Sequence, residues 1–293
     1  MRIRALLSIA AGLLASHVAL ADASGDFRAL LDEAWEWHLE QNPMVASQAG
    51  DRRYNTEWHD GSLAAIEVRH LQRRDFLRRL YAIDRAALSE ADQLNYELFR
   101  RDLQRRVDEH QFQGFLMPFN QRGGVQSLDG QASYLRFEKV EDFEDWLARL
   151  DKIDTVVQQT IEVANRGIDE GMVLPRVLME RLPEQIAVQL VENGEDSPFY
   201  RTFETMPETI AAKDQERLRA AALETIEDTV IPAYRTLARY FEKTYLPATR
   251  ESVGLSSLPN GSAWYEFLAR RFTTTRMSPD EIHRKGLEEV KRI

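Results

Sequence analysis

The chain of 293 residues carries six histidines, 48 acidic residues and no cysteine, and these bound the chemistry open to it. Metal ligation needs donor atoms that meet at one point, most simply two histidines a helical turn apart with a carboxylate nearby. His17, His38, His59, His70, His110 and His283 include no two members three or four positions apart. The nearest approach to a ligand pattern is Glu67-x-x-His70, which a carboxylate-bridged metal site uses twice. With a single copy it reads as a surface pair, and neither a metal ligand nor a catalytic residue is assigned. A cysteine nucleophile is excluded, and neither a Gly-x-Ser-x-Gly elbow nor a phosphate-binding Gly-Lys-Ser/Thr loop is present. The acidic residues leave open a carboxylate pair of the kind that hydrolyses glycosides, without selecting one. Trp35, Trp37, Trp58, Trp146 and Trp264 could stack on sugar rings, but Trp35 and Trp146 fall on helical inner faces, where packing is the simpler role.

Positioning begins with where the chain goes. Met1 to Arg4 form a basic start, Ala5 to Leu14 an uncharged apolar run, and Ala19 and Ala21 flank Leu20. This is the grammar of a cleavable leader over residues 1–21, and the apolar run is shorter than the ~20 residues that span a bilayer. The mature product is therefore expected in the periplasm or outside the cell, with no membrane attachment after cleavage. Without cysteine, stability must come from packing. Loss of Arg2 and Arg4 with the leader takes the formal net charge from -10 to -12, which excludes nucleic acid as a partner. The Arg-rich stretch from Arg69 to Arg79 reads as a solvated helical face.

The fold class expected is mainly α, an elongated multi-helix assembly forming one wall of a cleft, with a short strand near residues 272–276. Apolar residues recur at helical spacing from Phe27 to His38, and Asn42-Pro43 ends that helix. Helices follow over about residues 62–84 and from a Ser89 cap to about His110. Residues 112–135, with Gly114, Pro118, Gly123, Gly124 and Gly130, read as a long loop. Phe143 to Ile168 read as one long helix ended by Gly171; Pro175 opens a short element that Pro183 interrupts. Turn formers make residues 193–208 a surface connection, and the next helix is bent by Pro232 and ended by Leu246-Pro247. A brief helix over residues 263–271 precedes Thr273, Thr274 and Thr275 as the short strand. Ser278, Pro279 and Glu281 then set a capping box for a last helix, whose inner positions Ile282, Gly286, Val290 and Ile293 call for a partner.

From Ile231 onward, short blocks occur in an order that resembles the bacterial family known as domain of unknown function 885. They read Pro232-Ala233-Tyr234, Tyr245-Leu246-Pro247 with Arg250 and Gly254, Leu258-Pro259-Asn260-Gly261 with Tyr265, Thr273-Thr274-Thr275, and Ile282-His283 with Gly286-Leu287-Glu288-Glu289-Val290. Looser matches include Asn42-Pro43 with Gly50-Asp51, Leu88-Ser89 with Asp92 and Tyr96, Gly167 with Gly171 and Pro175, and Ser197-Pro198-Phe199. The resemblance implies that residues 22–293 are the N-terminal half of a zinc-metallopeptidase-like domain, truncated at its C-terminus. In that family a His-Glu pair and a Pro-Gly-His in the C-terminal half hold the metal, and neither is encoded here. The implied partners are the missing C-terminal half of the same protein and a peptide substrate. Zinc is expected for the parent, with no cofactor in this chain. Asn260, Gly261, Tyr265, Thr273, Thr274 and Thr275 are the candidates for substrate contact, since a Thr-rich extended edge can pair with a peptide backbone. Two other readings stand beside this one: a stand-alone periplasmic helical binding or scaffold protein, and a secreted helical glycosidase.

Overall fold

A computed structural model describes residues 23–293; the expected leader over residues 1–21 lies outside the described residues. The protein is mainly helical, as its periodicity requires. Helix α1 covers residues 23–41 and is followed by α2 (Pro43–Gln48), α3 (Leu63–Ala82) and α4 (Glu90–Glu109). The chain divides into two compact units, one made of residues up to Asn42 with Ala64–His110, the other of Pro43–Leu63 with Gln111–Ile293.

The first unit is built from α1, α3 and α4. Phe27 and Leu30 of α1 pack with Phe76, Leu77 and Leu80 of α3 and Tyr96 and Leu103 of α4. Helix α4 starts as its sequence dictates, with the Ser89 hydroxyl accepting from Asp92 N at 3.1 Å. The Arg-rich face departs from expectation. Arg69 is buried and Arg73 is half-buried with its guanidinium over the Trp37 ring, while Arg78 and Arg79 reach Asp75 and Glu33. Trp35 is also corrected, from the core to the surface at 51% exposure, where its ring stacks on His38.

The second unit holds the larger core, around Phe143, Trp146, Phe203, Tyr234 and Tyr245. The predicted helix from Phe143 to Ile168 is two helices, α5 (Val140–Leu150) and α6 (Ile153–Asp169). The break has a tertiary cause. The Arg149 carbonyl, which would accept from Ile153 N in an unbroken helix, instead accepts from the Trp58 indole at 2.7 Å and from Lys152 N at 3.0 Å. Pro183 does not interrupt a helix. It occupies the first turn of α8 (Leu182–Ala187), after α7 (Arg176–Met179), where its missing N–H costs nothing. Residues 193–208 are not a surface connection, since Phe199, Phe203 and Met206 are buried and α9 (Arg201–Glu204) lies within them.

A continuous helical run follows, made of α10 (Ala212–Thr225), a π-helical turn (Ile226–Val230), α11 (Ile231–Tyr240), a second π-helical turn (Phe241–Tyr245) and α12 (Leu246–Ala248). Each π turn ends just before a proline, Pro232 or Pro247. A proline ring collides with the carbonyl four residues back and offers no N–H, and a wider turn removes both conflicts. The run stops at Ala248, one residue past the expected Leu246-Pro247 boundary. The Gly-rich segment over residues 112–135 is not an open loop. It is wound into short 3-10 turns, places Phe112, Leu116, Phe119 and Val125 in the interior, and is tied to α11 by the Tyr234 hydroxyl donating to Val125 O at 2.7 Å.

The expected strand near residues 272–276 is absent. Thr273 closes α13 (Gly261–Thr273), and Thr274 takes a left-handed cap conformation with φ of 56°. The Thr273 hydroxyl donates to Ala269 O at 2.8 Å and accepts from Thr275 N at 3.2 Å. Local hydroxyl-to-backbone bonding thus terminates a helix where β-branching alone suggested extension. Among the described residues, extended pairing is confined to a single bridge between Pro175 and Arg250. The last helix, α14 (Pro279–Arg292), begins with the expected Ser278–Glu281 capping box. Its residues Leu287 and Val290 remain 51% and 73% exposed.

Candidate functional site

The most distinctive cavity belongs to the first unit. It measures about 410 Å³ and is walled by Leu31, Trp37, Phe76 and Phe99, with Trp35, His38 and Arg73 among its lining residues. Helical spacing assembles it: Leu31, Ala34, Trp35 and His38 fall at i, i+3, i+4 and i+7 along α1, and Phe99, Leu103 and Arg106 at i, i+4 and i+7 along α4. The Arg73 guanidinium lies 5.6 Å from the centre of the Trp37 ring. Burial first, then Arg106 and Arg69, lower its pKa to about 10, so it stays a cation at neutral pH. The nearest acid, Asp102, is already occupied, with Oδ1 accepting from Arg105 at 2.6 Å and Oδ2 from Arg106 at 2.7 Å. Among the described residues Arg73 has no carboxylate within ion-pair distance.

His38 sits in the same cavity and accepts at Nδ1 from the Asn42 side-chain amide at 3.2 Å, which leaves the ring proton on Nε2. Burial, then Arg106, holds its pKa below the usual imidazole range. His70 is also held low, by burial and then by His110. A base with a depressed folded-state pKa binds more protons unfolded than folded. Its contribution to stability is complete above the unfolded value near ~6.5 and is lost as pH falls toward the folded value. We expect the thermal midpoint to drop as pH is lowered below about 6.5, and His70→Gln to flatten that drop. Midpoints by circular dichroism between neutral and mildly acidic pH check this; an unchanged slope in the variant would refute the assignment.

The Glu67-x-x-His70 pair is not an isolated surface pair. Glu67 Oε2 lies 3.2 Å from His110 Nε2, and the rings of His70 and His110 stack at 3.8 Å with planes 16° apart. In-plane lone pairs of stacked rings lie in near-parallel planes, so these donors do not converge on one ion as zinc requires. Among the described residues no three His, Cys, Asp or Glu side chains are grouped as a ligand set. The Glu67, His70 and His110 cluster therefore does not fit zinc.

A second cavity, of about 460 Å³, lies in the second unit between residues 47–55 and 134–149. Its polar groups are already matched to one another. Arg52 bridges Asp142 and Asp145, and Asn55 donates to Asp145 Oδ2 at 2.9 Å. Burial raises the Asp142 carboxyl, but hydrogen bonds from Glu138 N, Arg52 and Lys139 N outweigh it and hold the group below the usual carboxylate range. Held ionised in this way, Asp142 is a poor proton donor at neutral pH.

The residues expected to touch substrate do not gather. Asn260 and Gly261 stand at the start of α13, Tyr265 one turn on, and Thr273, Thr274 and Thr275 at its far end. Thirteen residues at 1.5 Å each separate the two groups by roughly 20 Å. Gly261 has a packing role: a Cβ there would be driven into the carbonyl of Leu255. Trp264 is buried against Phe112, with ring centres 6.0 Å apart, whereas Tyr265 is 52% exposed. Periodicity places Phe99 on an inner face, whereas the inner faces read for α1 and α3 do not include Trp37 and Phe76. That they leave room around a cation was not readable from it.

The family described as "Bacterial protein of unknown function (DUF885)" matches residues 43–293. A solved structure from Colwellia psychrerythraea, described as that of a candidate lipoprotein, is similar with a TM-score of 0.78 at 16% identity. The similarity covers 92% of this chain and 49% of that one, so this chain spans about half the length of the solved protein. At that identity the likeness bears on the fold alone. No curated protein matches the sequence. No described helix is long and apolar enough to cross a membrane.

Proposed function

The chain belongs to the DUF885 family of bacterial proteins, and from that premise we propose that it is the N-terminal, substrate-cleft portion of an exported zinc-peptidase-like hydrolase, inactive without the remainder of its parent. The observation that carries this reading is the partial span: almost all of this chain corresponds to about half of a solved structure. The exposed apolar residues at its C-terminal end support it. Phe272 of α13 and Leu287 and Val290 of α14 are 74%, 51% and 73% exposed. Leu287 and Val290 lie on one side of their helix, three positions apart, which suits docking against further protein. The zinc ligands would belong to that further protein, since the donors here do not converge. This chain would contribute a wall, with the exposed Tyr265 ring and the exposed Thr274 side chain available for contact with a peptide. The basic, apolar and small-residue succession over residues 1–21 supports export, as does the description of the solved relative as a candidate lipoprotein.

Metal analysis and peptide turnover test the reading. Residues 22–293 alone are expected to bind no stoichiometric zinc and to cleave no peptide. The parent protein, extended through its C-terminal half, is expected to do both and to lose turnover to a chelator. Chelator-sensitive peptide cleavage by residues 22–293 alone would overturn the proposal, as would a zinc-free, inactive parent.

A further inference from the structure

We propose that the cavity between α1, α3 and α4 binds a small organic carboxylate with an apolar, ring-sized body, and that Arg73 is its anionic anchor. The inference rests on the first unit alone and does not depend on the peptidase reading. A half-buried guanidinium is costly to hold without a counter-charge. The nearest acid cannot supply it, because both oxygens of Asp102 are held by Arg105 and Arg106. The Trp37 ring covers one face of the Arg73 cation and leaves its in-plane donors to be matched. Planar, paired donors of this kind fit a carboxylate in two parallel hydrogen bonds. The Nε2 proton of His38, set by the amide of Asn42 on the other ring nitrogen, adds a donor to the same cavity.

The walls decide what else the ligand must carry. Leu31, Trp37, Phe76 and Phe99 present aliphatic and aromatic surface, which gives an inorganic anion nothing to pack against. The volume of about 410 Å³ falls within the range of small-molecule sites. In a chain of net charge -10, a cavity with two arginines and one committed acid is a local exception. That contrast selects acids by charge complementarity and admits only those with an apolar body.

Calorimetry and tryptophan fluorescence with 3-phenylpropionate, its neutral amide and inorganic phosphate test the proposal on the chain as it stands. The acid should bind saturably and quench Trp fluorescence, with the amide at least about tenfold weaker and phosphate unable to displace the acid. Arg73→Gln should weaken the acid at least about tenfold and leave the amide unchanged, while Arg73→Lys retains part of the affinity. No saturable binding of the acid, equal binding of acid and amide, or displacement by phosphate would each overturn the assignment. The comparison of acid with amide uses the unmodified chain, so it stands even if a variant fails to fold.

Discussion

Replacing Arg149 by methionine is expected to cost the second unit about 3–5 kcal/mol, because it leaves several buried acceptors without their charged donor at about 1–3 kcal/mol each. Arg149 is 1% exposed and, among the described residues, makes no direct ion pair; its partners are backbone carbonyls and the Ser47 hydroxyl. Its Nε donates to Glu57 O at 3.0 Å, and one terminal nitrogen reaches Ser47 Oγ at 2.7 Å and Tyr54 O at 3.2 Å. The guanidinium also lies 5.8 Å from the centre of the Trp58 ring. One side chain of α5 thereby holds most of the segment over residues 43–58. Burial lowers its pKa to about 10, with Asp145 and Glu57 opposing, so the cation persists at neutral pH. Methionine preserves much of the volume, so the loss reports orphaned carbonyls more than a cavity. Denaturant unfolding measures the cost, and the thermal midpoint should fall by roughly 10 °C. Arg149→Lys should recover little, because a single ammonium cannot serve carbonyls spread around a planar fork. A loss below about 1 kcal/mol would show that the segment is held by other contacts.

Gly167→Ala should also be strongly destabilising, by about 3 kcal/mol, although alanine is the better helix former by up to about 1 kcal/mol. Gly167 lies in α6 where the segment over residues 112–135 crosses the helix. A Cβ there would be driven into the Leu116 carbonyl and would meet Met172 O at 2.8 Å. Both obstacles are backbone, so relief requires moving a whole segment and not turning a side chain. Gly286 in α14 is the matched control, since a Cβ there meets nothing within 4 Å. Gly286→Ala should stabilise by about 0.5–1 kcal/mol, the opposite sign for the same chemical change. If both variants melt alike, the close crossing at Gly167 does not constrain the fold.

Local chemistry was legible where a few neighbouring residues decide the outcome. The Ser89 cap, the Ser278–Glu281 box and the boundary at Asn42-Pro43 each depend on groups within a turn, and each is present. Misreadings cluster where a distant group took over a local one. The Trp58 indole takes the Arg149 carbonyl and splits a helix that periodicity made continuous. The hydroxyls of Thr273 and Thr275 spend themselves on local bonds, and the expected strand becomes a helix end. Gly-rich and turn-rich segments that look exposed in one dimension carry aromatic residues which the core recruits, as Phe119, Phe199 and Phe203 show.

The sequence by itself determined a cysteine-free, mainly helical chain, the places where several of its helices begin, and the absence of two histidines spaced for one metal, because these depend on residue type and short separations. Only the tertiary structure decided that Arg73 would sit half-buried beside an acid already taken, that Arg149 would hold a segment some ninety residues earlier in the chain, and that Gly167 would admit a crossing backbone. Each of those depends on which groups meet after long loops close, and burial, unlike spacing, is a property of the meeting.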